Sequence, residues 1–304
     1  MRENYTYHGN ALDVLKTFTD DSVDCCITSP PYWGLRDYGE EGQLGLENDF
    51  NEYIDKLINI YDEIYRVIKP TGSCFVNLGD TYGTQSGGMA GGFIEPKYGH
   101  SSSRKVKQPN INLHKSLCMI PERFAIRMIE NGWTLRNQII WHKPNQMPSS
   151  AKDRFTVDFE KVFFFVKQPM GYYFEQQLEP YTEPINRWGG NKVNRLNGAD
   201  EYAMKQRVRD YRPVEEGKNM RTVWSINTEP FADAHFATYP SKLVERMLRS
   251  ACPENGIVLD PFMGAGTTAV VARKLNRKYI GIEINSEYID ICNKRLYNEL
   301  GMFQ

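Results

Sequence analysis

Residues Ile257 to Glu283 constrain the fold more than any other stretch. Ile257-Val258-Leu259-Asp260 is a short apolar run of strand character, and it leads directly into the turn Pro261-Phe262-Met263-Gly264-Ala265-Gly266. A helix is predicted to start near Thr267, carrying Ala269, Val270, Val271, Ala272 and Leu275. The next strand, Lys278-Tyr279-Ile280-Gly281-Ile282-Glu283, ends in an acid. Strand, glycine turn, helix and strand in this order belong to a parallel α/β sheet. Gly264 and Gly266 let a ligand approach the backbone, and the helix start offers free N–H groups. A carboxylate at Glu283 can accept hydrogen bonds from two ribose hydroxyls. No phosphate loop with Lys-Ser/Thr is present, so a nucleoside without a triphosphate fits this turn better.

A second stretch has its own chemistry. Val23-Asp24-Cys25-Cys26-Ile27 reads as a buried strand and runs into Thr28-Ser29-Pro30-Pro31-Tyr32-Trp33. The two prolines end the strand, fix φ and push Pro30 into extended geometry. The result is a rigid tip carrying a hydroxyl, free carbonyls and two aromatics, at the strand end where open α/β sheets keep their sites. Oxygens that accept from an amine, beside rings that stack, suit a nucleobase with an exocyclic amino group. Taken alone, the stretch reads equally well as an ordinary strand-to-loop turn.

The rest of the chain alternates strand and helix signals. Tyr5-Thr6-Tyr7-His8 is a strand, closed by Gly9-Asn10 ahead of a helical turn from Ala11. Asp49 to Ile68 has apolar residues at helical spacing, and Lys69-Pro70-Thr71-Gly72 is expected to stop that helix before a strand from Ser73. A helix follows near 121–131. Two closely spaced strands, at 134–141 and 161–166, suggest an antiparallel edge to the sheet. Two regions lack a sustained apolar period. Residues 81–115 read as a long mobile loop holding Arg104, Lys105 and Lys107. Residues 168–227 interleave aromatics with basic residues, among them Arg187, Arg195, Arg207 and Arg209; composition alone favours a solvated, charged lobe, and the alternative is a surface suited to phosphates and bases.

The 304 residues carry a formal net charge of −1, so any nucleic-acid binding needs local basic patches. No apolar run approaches the roughly 20 residues that span a membrane, and the N-terminus does not read as a signal peptide. The six scattered cysteines form no CxxC pair and no metal-ligand spacing, so they read as reduced core thiols in a cytoplasmic protein, with no metal expected.

Asp260-Pro261-Phe262-x-Gly264-x-Gly266-Thr267-Thr268 and Thr28-Ser29-Pro30-Pro31-Tyr32 together resemble the paired motifs of S-adenosylmethionine-dependent DNA amino-methyltransferases of restriction–modification systems. The catalytic motif precedes the cofactor motif, which resembles the β group, a circular permutation of the common arrangement. Arg66 to Gly72, Ile140-Trp141-x-Lys143 and His235 to Pro240 add to the likeness.

The resemblance implies a Rossmann-like methyltransferase fold: a mostly parallel seven-stranded sheet with an antiparallel edge. Residues 1–167 and 228–304 would form the catalytic domain, and 168–227 a target-recognition lobe. It implies S-adenosylmethionine held by Asp260, Pro261, Phe262, Gly264, Gly266, Thr267, Thr268 and Glu283, with Asn10 and Ala11 at the adenine and Thr238 and Tyr239 along the methionine moiety. It implies catalysis by Ser29, Pro30, Pro31 and Tyr32 on a base flipped out of double-stranded DNA, with Tyr32 stacking on that base and Trp33 walling the pocket. Carbon-5 chemistry is a poor fit, since no cysteine follows a proline. Ser29 resembles the cytosine-N4 pattern, with adenine N6 the alternative. RNA or protein-amide methylation, and a non-catalytic nucleic-acid-binding module, are further readings. A cognate restriction endonuclease is a partner the resemblance allows, and the chain would act as a monomer or homodimer.

Overall fold

The computed structural model describes residues 1–35, 37–83, 89–90, 113–181, 217–229 and 239–301. In chain order the elements are β1 (Tyr5–His8), α1 (Ala11–Leu15), β2 (Val23–Thr28), α2 (Phe50–Val67), β3 (Ile68–Leu78), β4 (Tyr82–Gly83), β5 (Met89–Ala90) and α3 (Ile120–Glu130). There follow β6 (Thr134–His142), β7 (Phe159–Val166), β8 (Leu178–Glu179), β9 (Lys218–Asn219), β10 (Val223–Ser225), α4 (Ser241–Ala251), β11 (Ile257–Asp260), α5 (Thr267–Lys274), β12 (Lys278–Glu283) and α6 (Ser286–Leu300).

One sheet runs in the order β1-β12-β11-β2-β3-β7-β6-β10. All neighbouring pairs are parallel except the two that β7 makes with β3 and β6. Two expectations change. Among the described residues the sheet has eight strands, because Val223–Ser225 adds beyond β6. The reversed strand lies inside the sheet rather than at its edge. Burial gives the reason: Val162 to Val166 of β7 are all buried, whereas Arg136, Asn137 and Gln138 of β6 are exposed. A run apolar on both faces belongs in a sheet interior.

Helix α2 starts where its spacing predicts. The Asp49 carboxylate accepts from the Asn51 amide at 2.6 Å and caps it. Its end differs from expectation, because β3 begins at once at Ile68 with Pro70 inside it. Register explains this: Val23 pairs with Ile68 and Cys25 with Ser73, so Lys69 to Gly72 bulge out of the ladder. Proline is tolerated at such a bulge. Helices α1, α2 and α3 pack on one another, as do α4, α5 and α6, and both groups pack on the sheet. All six cysteines are buried and free. Among the described residues no helix is long and apolar enough to cross a membrane.

The chain divides into two compact units: Met1–Glu175 with Thr222–Gln304, and Gln176–Arg221. The break falls inside the expected 168–227 lobe on both sides. Tyr173 and Glu175 donate backbone hydrogen bonds to Thr71 and Ser250, and Ile226 donates to His142, so these flanks belong to the first unit. In the second unit β8 pairs with β9, and Glu179 bonds Arg221 at 2.6 Å. Because β1, β2, β3, β11 and β12 are parallel, His8, Thr28, Leu78, Asp260 and Glu283 all end at one edge of the sheet.

Candidate active site

That edge holds a cavity of about 520 Å³, within the range of small-molecule sites. The glycine turn forms one wall through Pro261, Phe262, Gly264 and Thr267, joined by Glu283, Asn10, Ala11 and Tyr239. The proline tip, Ser29 to Tyr32, forms another. Two motifs more than two hundred residues apart in sequence therefore face one space.

Asp260, Gly266 and Thr268 stand behind that wall. Asp260 is fully buried and accepts from Thr28 Oγ1 and Thr268 Oγ1 at 2.6 Å, Tyr239 Oη at 2.9 Å and the Phe262 amide at 3.1 Å. Burial raises its carboxyl pKa, and the hydrogen bonds from Thr268 and Thr28 oppose that. Tyr239 Oη also meets Thr268 Oγ1. Asp260 thus holds the turn rather than lining the cavity. Gly266 has φ +82°, and a Cβ there would sit 2.3 Å from Cys292 Sγ, so packing as well as conformation requires glycine. At Gly264 (φ +51°) a Cβ would meet nothing within 4 Å, which leaves space for a ligand.

Glu283 accepts the Gly264 amide on Oε2 at 2.7 Å and the Asn285 amide on Oε1 at 3.0 Å. Burial raises its pKa against those bonds. Both oxygens keep a second lone pair for hydroxyl donors. Asn10 Oδ1 caps α1 through the Leu12 amide at 3.0 Å. The donor and acceptor set fits S-adenosylmethionine: a carboxylate for a diol, an open glycine turn, and the Phe262 and Pro261 faces for an aromatic ring. Thr238, and the basic residues Arg104, Lys105, Lys107, Arg187, Arg195, Arg207 and Arg209, lie outside the described residues, as does most of the 81–115 loop.

The proline tip is held by a polar network. Tyr53 Oη donates to the Pro31 carbonyl at 2.7 Å. Tyr32 Oη donates to Glu160 Oε2 at 2.6 Å and accepts from Asn77 Nδ2 at 2.8 Å, while Asn77 also donates to Glu160 at 2.7 Å. Lys143 Nζ binds the other Glu160 oxygen and lies 4.5 Å from the Trp141 ring centre. Burial, then the Glu160 charge, keeps the Tyr32 hydroxyl protonated far above the usual tyrosine range. Gly79 makes room for the ring: a Cβ there would lie 2.6 Å from Tyr32 Cε2. Among the described residues Ser29 Oγ has only long contacts, 3.4 Å to Tyr32 Oη and 3.4 Å to Asn77 Nδ2, so it is available to an incoming group. Trp33 does not wall the pocket. It is buried, donates to the Glu47 carbonyl at 3.0 Å and packs edge-on to Phe50.

Sequence reasoning missed Glu160 and Asn77. Asn77 left a faint signal, as a lone polar residue in the apolar run Cys74 to Leu78, whereas Glu160, between Asp158 and Lys161, left none. Among the described residues no group of His, Cys, Asp or Glu is arranged to hold a metal.

A family profile described as DNA methylase, of the N6/N4 methyltransferase type, matches residues 23–294. The chain is 38% identical over 295 residues to the Type II methyltransferase M.Cfr9I of Citrobacter freundii, covering 96% of this chain and 87% of that protein. It is 36% identical over 290 residues to M.SmaI of Serratia marcescens, covering 95% and 89%. Among solved structures, the cytosine-N4-specific PvuII DNA methyltransferase shares the fold at a TM-score of 0.62 and 20% identity, covering 97% of this chain and 88% of that one. M1.HpyAVI in its SAM complex does so at 0.55 and 21%, covering 96% and 98%. The chain belongs to the N6/N4 family of DNA methylases, S-adenosylmethionine-dependent amino-methyltransferases of Type II restriction–modification systems.

Proposed function

We propose that this DNA methyltransferase modifies the N4 amine of a cytosine turned out of the duplex. The observation that carries the reading is Ser29: a hydroxyl with no short hydrogen bond among the described residues, sharing a cavity with Glu283 and the open Gly264 turn. When bound, S-adenosylmethionine supplies an electrophilic methyl group on a sulfonium. Glu283, Gly264, Phe262 and Asn10 are the residues that would hold it. An exocyclic amine is a poor nucleophile because its lone pair is delocalised into the ring. Ser29 Oγ and the Pro30 carbonyl accept the amine hydrogens, which favours a pyramidal nitrogen and aims its lone pair. The Tyr32 ring, anchored by Glu160, gives the base a stacking surface. Positioning and electrostatics then account for the rate, with no covalent enzyme intermediate.

The cytosine assignment is supported by serine at position 29 and by the cytosine-N4-specific PvuII enzyme among the relatives of like fold. We assign target recognition to the region around Gln176–Arg221, with a cognate endonuclease as partner in a prokaryotic cytoplasm. The test is nucleoside mass spectrometry and methylome sequencing of DNA from cells expressing the protein. N4-methylcytosine at a defined site is expected. N6-methyladenine refutes the cytosine assignment, and no modified base refutes the whole reading. Ser29→Ala is expected to lower methyl transfer by about 10²-fold while cofactor affinity stays within about twofold; full activity in that variant removes Ser29 from the mechanism.

A further inference from the structure

The loop between β6 and β7 rises from the cavity wall. Lys143, which enters it, and Glu160, which leaves it, both line the cavity. Strand β6 is antiparallel to β7, and β7 to β3, so β6 points the same way as β3 and its loop emerges at the cavity edge. The loop is pinned. The Lys143 amide donates to the Asp158 carbonyl at 2.7 Å, and the Ser149 amide to Thr156 Oγ1 at 3.1 Å. Asn145 exchanges hydrogen bonds with Thr228 at 3.0 Å, and Lys115 bonds Asp153 at 2.7 Å. The Arg154 guanidinium stacks 3.7 Å from the Tyr82 ring centre.

This anchored loop nevertheless holds two large apolar side chains in water: Phe155 is 96% exposed and Met147 80%. Lys152 and Arg154 both precede Phe155, and Asp153 between them is paired with Lys115, so the apolar tip has two cations on its N-terminal side. An apolar tip with cations beside it, on a loop that emerges at the cavity edge, is complementary to a duplex at the point where a base has left the stack. Phosphates meet the cations, and the gap meets the ring. Extruding a base forfeits its stacking, and a side chain entering the vacancy restores part of it.

The geometry points to the 143–158 loop as a duplex-docking wedge, with Phe155 filling the gap that the flipped base leaves. This rests on the reading that the cavity accepts a flipped base. The experiment uses the full chain and a duplex carrying the site that methylome sequencing returns. It compares a matched target with one whose target base faces a mismatch, where flipping is already easier. Phe155→Ala is expected to lower kcat/KM on the matched duplex by about 10- to 100-fold, the scale of one lost stacking platform. On the mismatched duplex it should fall within about threefold of the parent enzyme, because a mismatched base costs less to extrude. Phe155→Leu should retain most of the activity, and S-adenosylmethionine affinity should be unchanged in both variants. Equal losses on the two duplexes, or no loss on either, overturn the wedge. So does conversion of an oligomer to monomer in sedimentation without a matched-to-mismatched difference, since the tip would then be a subunit contact. A methylome with no modified site refutes the underlying flipped-base reading instead, before any duplex is compared.

Discussion

The two glycines of the cofactor turn take the same substitution to opposite outcomes. At Gly266, alanine meets two penalties. Its φ of +82° is left-handed, which disfavours a side chain by about 1–2 kcal/mol. Its Cβ would overlap Cys292 Sγ at 2.3 Å and press on Cys292 Cβ at 3.0 Å, and overpacking of a core contact costs about 1–3 kcal/mol. Together these give about 2–5 kcal/mol, a large share of a domain's net stability. At Gly264 the φ of +51° imposes the first penalty alone, since no atom lies within 4 Å of the new methyl. That methyl instead enters the open space at a turn that lines the cavity. Urea unfolding followed by tryptophan fluorescence measures the first effect, and calorimetric titration with S-adenosylmethionine the second. Gly266→Ala should shift the unfolding midpoint strongly at constant m-value. Gly264→Ala should stay within about 2 kcal/mol of the parent and lose cofactor affinity. Adding Cys292→Ala to Gly266→Ala removes the closest overlap, so the pair should be less destabilising than the sum by about 1 kcal/mol or more. A Gly266→Ala protein of parental stability, or strict additivity with Cys292→Ala, refutes the packing argument.

The Tyr32–Glu160 hydrogen bond allows a second cycle. Tyr32→Phe and Glu160→Gln each weaken the same anchor, so the double variant should lose little more methyl transfer than the worse single, while two independent roles would multiply. Gly79→Ala pushes a Cβ into the Tyr32 ring, and should lower methyl transfer at least tenfold, about 1.4 kcal/mol of transition-state energy, with cofactor affinity intact; the two rates and the titration check it. The raised pKa of Glu283 sets a pH dependence. Its carboxylate takes up a proton at higher pH than an ordinary glutamate, so cofactor affinity should begin to fall on the alkaline side of the usual carboxylate range as the solution is acidified. Stability has the opposite sense. Between the ordinary and the raised value the unfolded chain has released this proton and the folded chain has kept it, so stability from this group falls as pH rises through that window. Glu283→Gln should flatten both profiles; unchanged profiles would assign the titration elsewhere.

Most of the sheet was legible because its strands are short apolar runs that end in unusual residues: Asp260 before a glycine turn, Glu283 before a helix, Thr28 before two prolines. Helix α2 was legible from its spacing and its Asp49 cap. The less legible parts depended on pairing rather than on local pattern. Nothing in Lys69 to Gly72 distinguishes a helix stop from a bulge; only the register against Val23 and Cys25 does. Strand β10 is three residues long and joins the sheet through Ile140 to His142, a contact across some eighty residues. At the site, residue types announced the turn and the tip. Glu160 went unseen because it meets Tyr32 from 128 positions away. Trp33 was misjudged because an aromatic beside a ligand tip and one beneath it look alike in sequence.

Asp260 explains how the two motifs act as one site. Strands β11 and β2 are adjacent, with Leu259 opposite Cys26, so the end of β11 lies beside the end of β2. From there one buried carboxylate reaches Thr28 immediately before the proline tip, Thr268 at the start of α5, and Tyr239 just before α4. Each partner comes from a different segment, and each donates. A carboxylate removed from water is stabilised only when its lone pairs are filled, so the segments are held jointly or not at all. The spacing between the cofactor turn and the amine-accepting tip is therefore set by charge-assisted hydrogen bonds in the sheet interior rather than by the loops above it. Direct transfer between two bound groups needs that rigidity, because a displacement of about 1 Å is enough to lose on the order of 10²-fold in rate. In the proposed mechanism Asp260 therefore acts by fixing the distance between the two halves of the site.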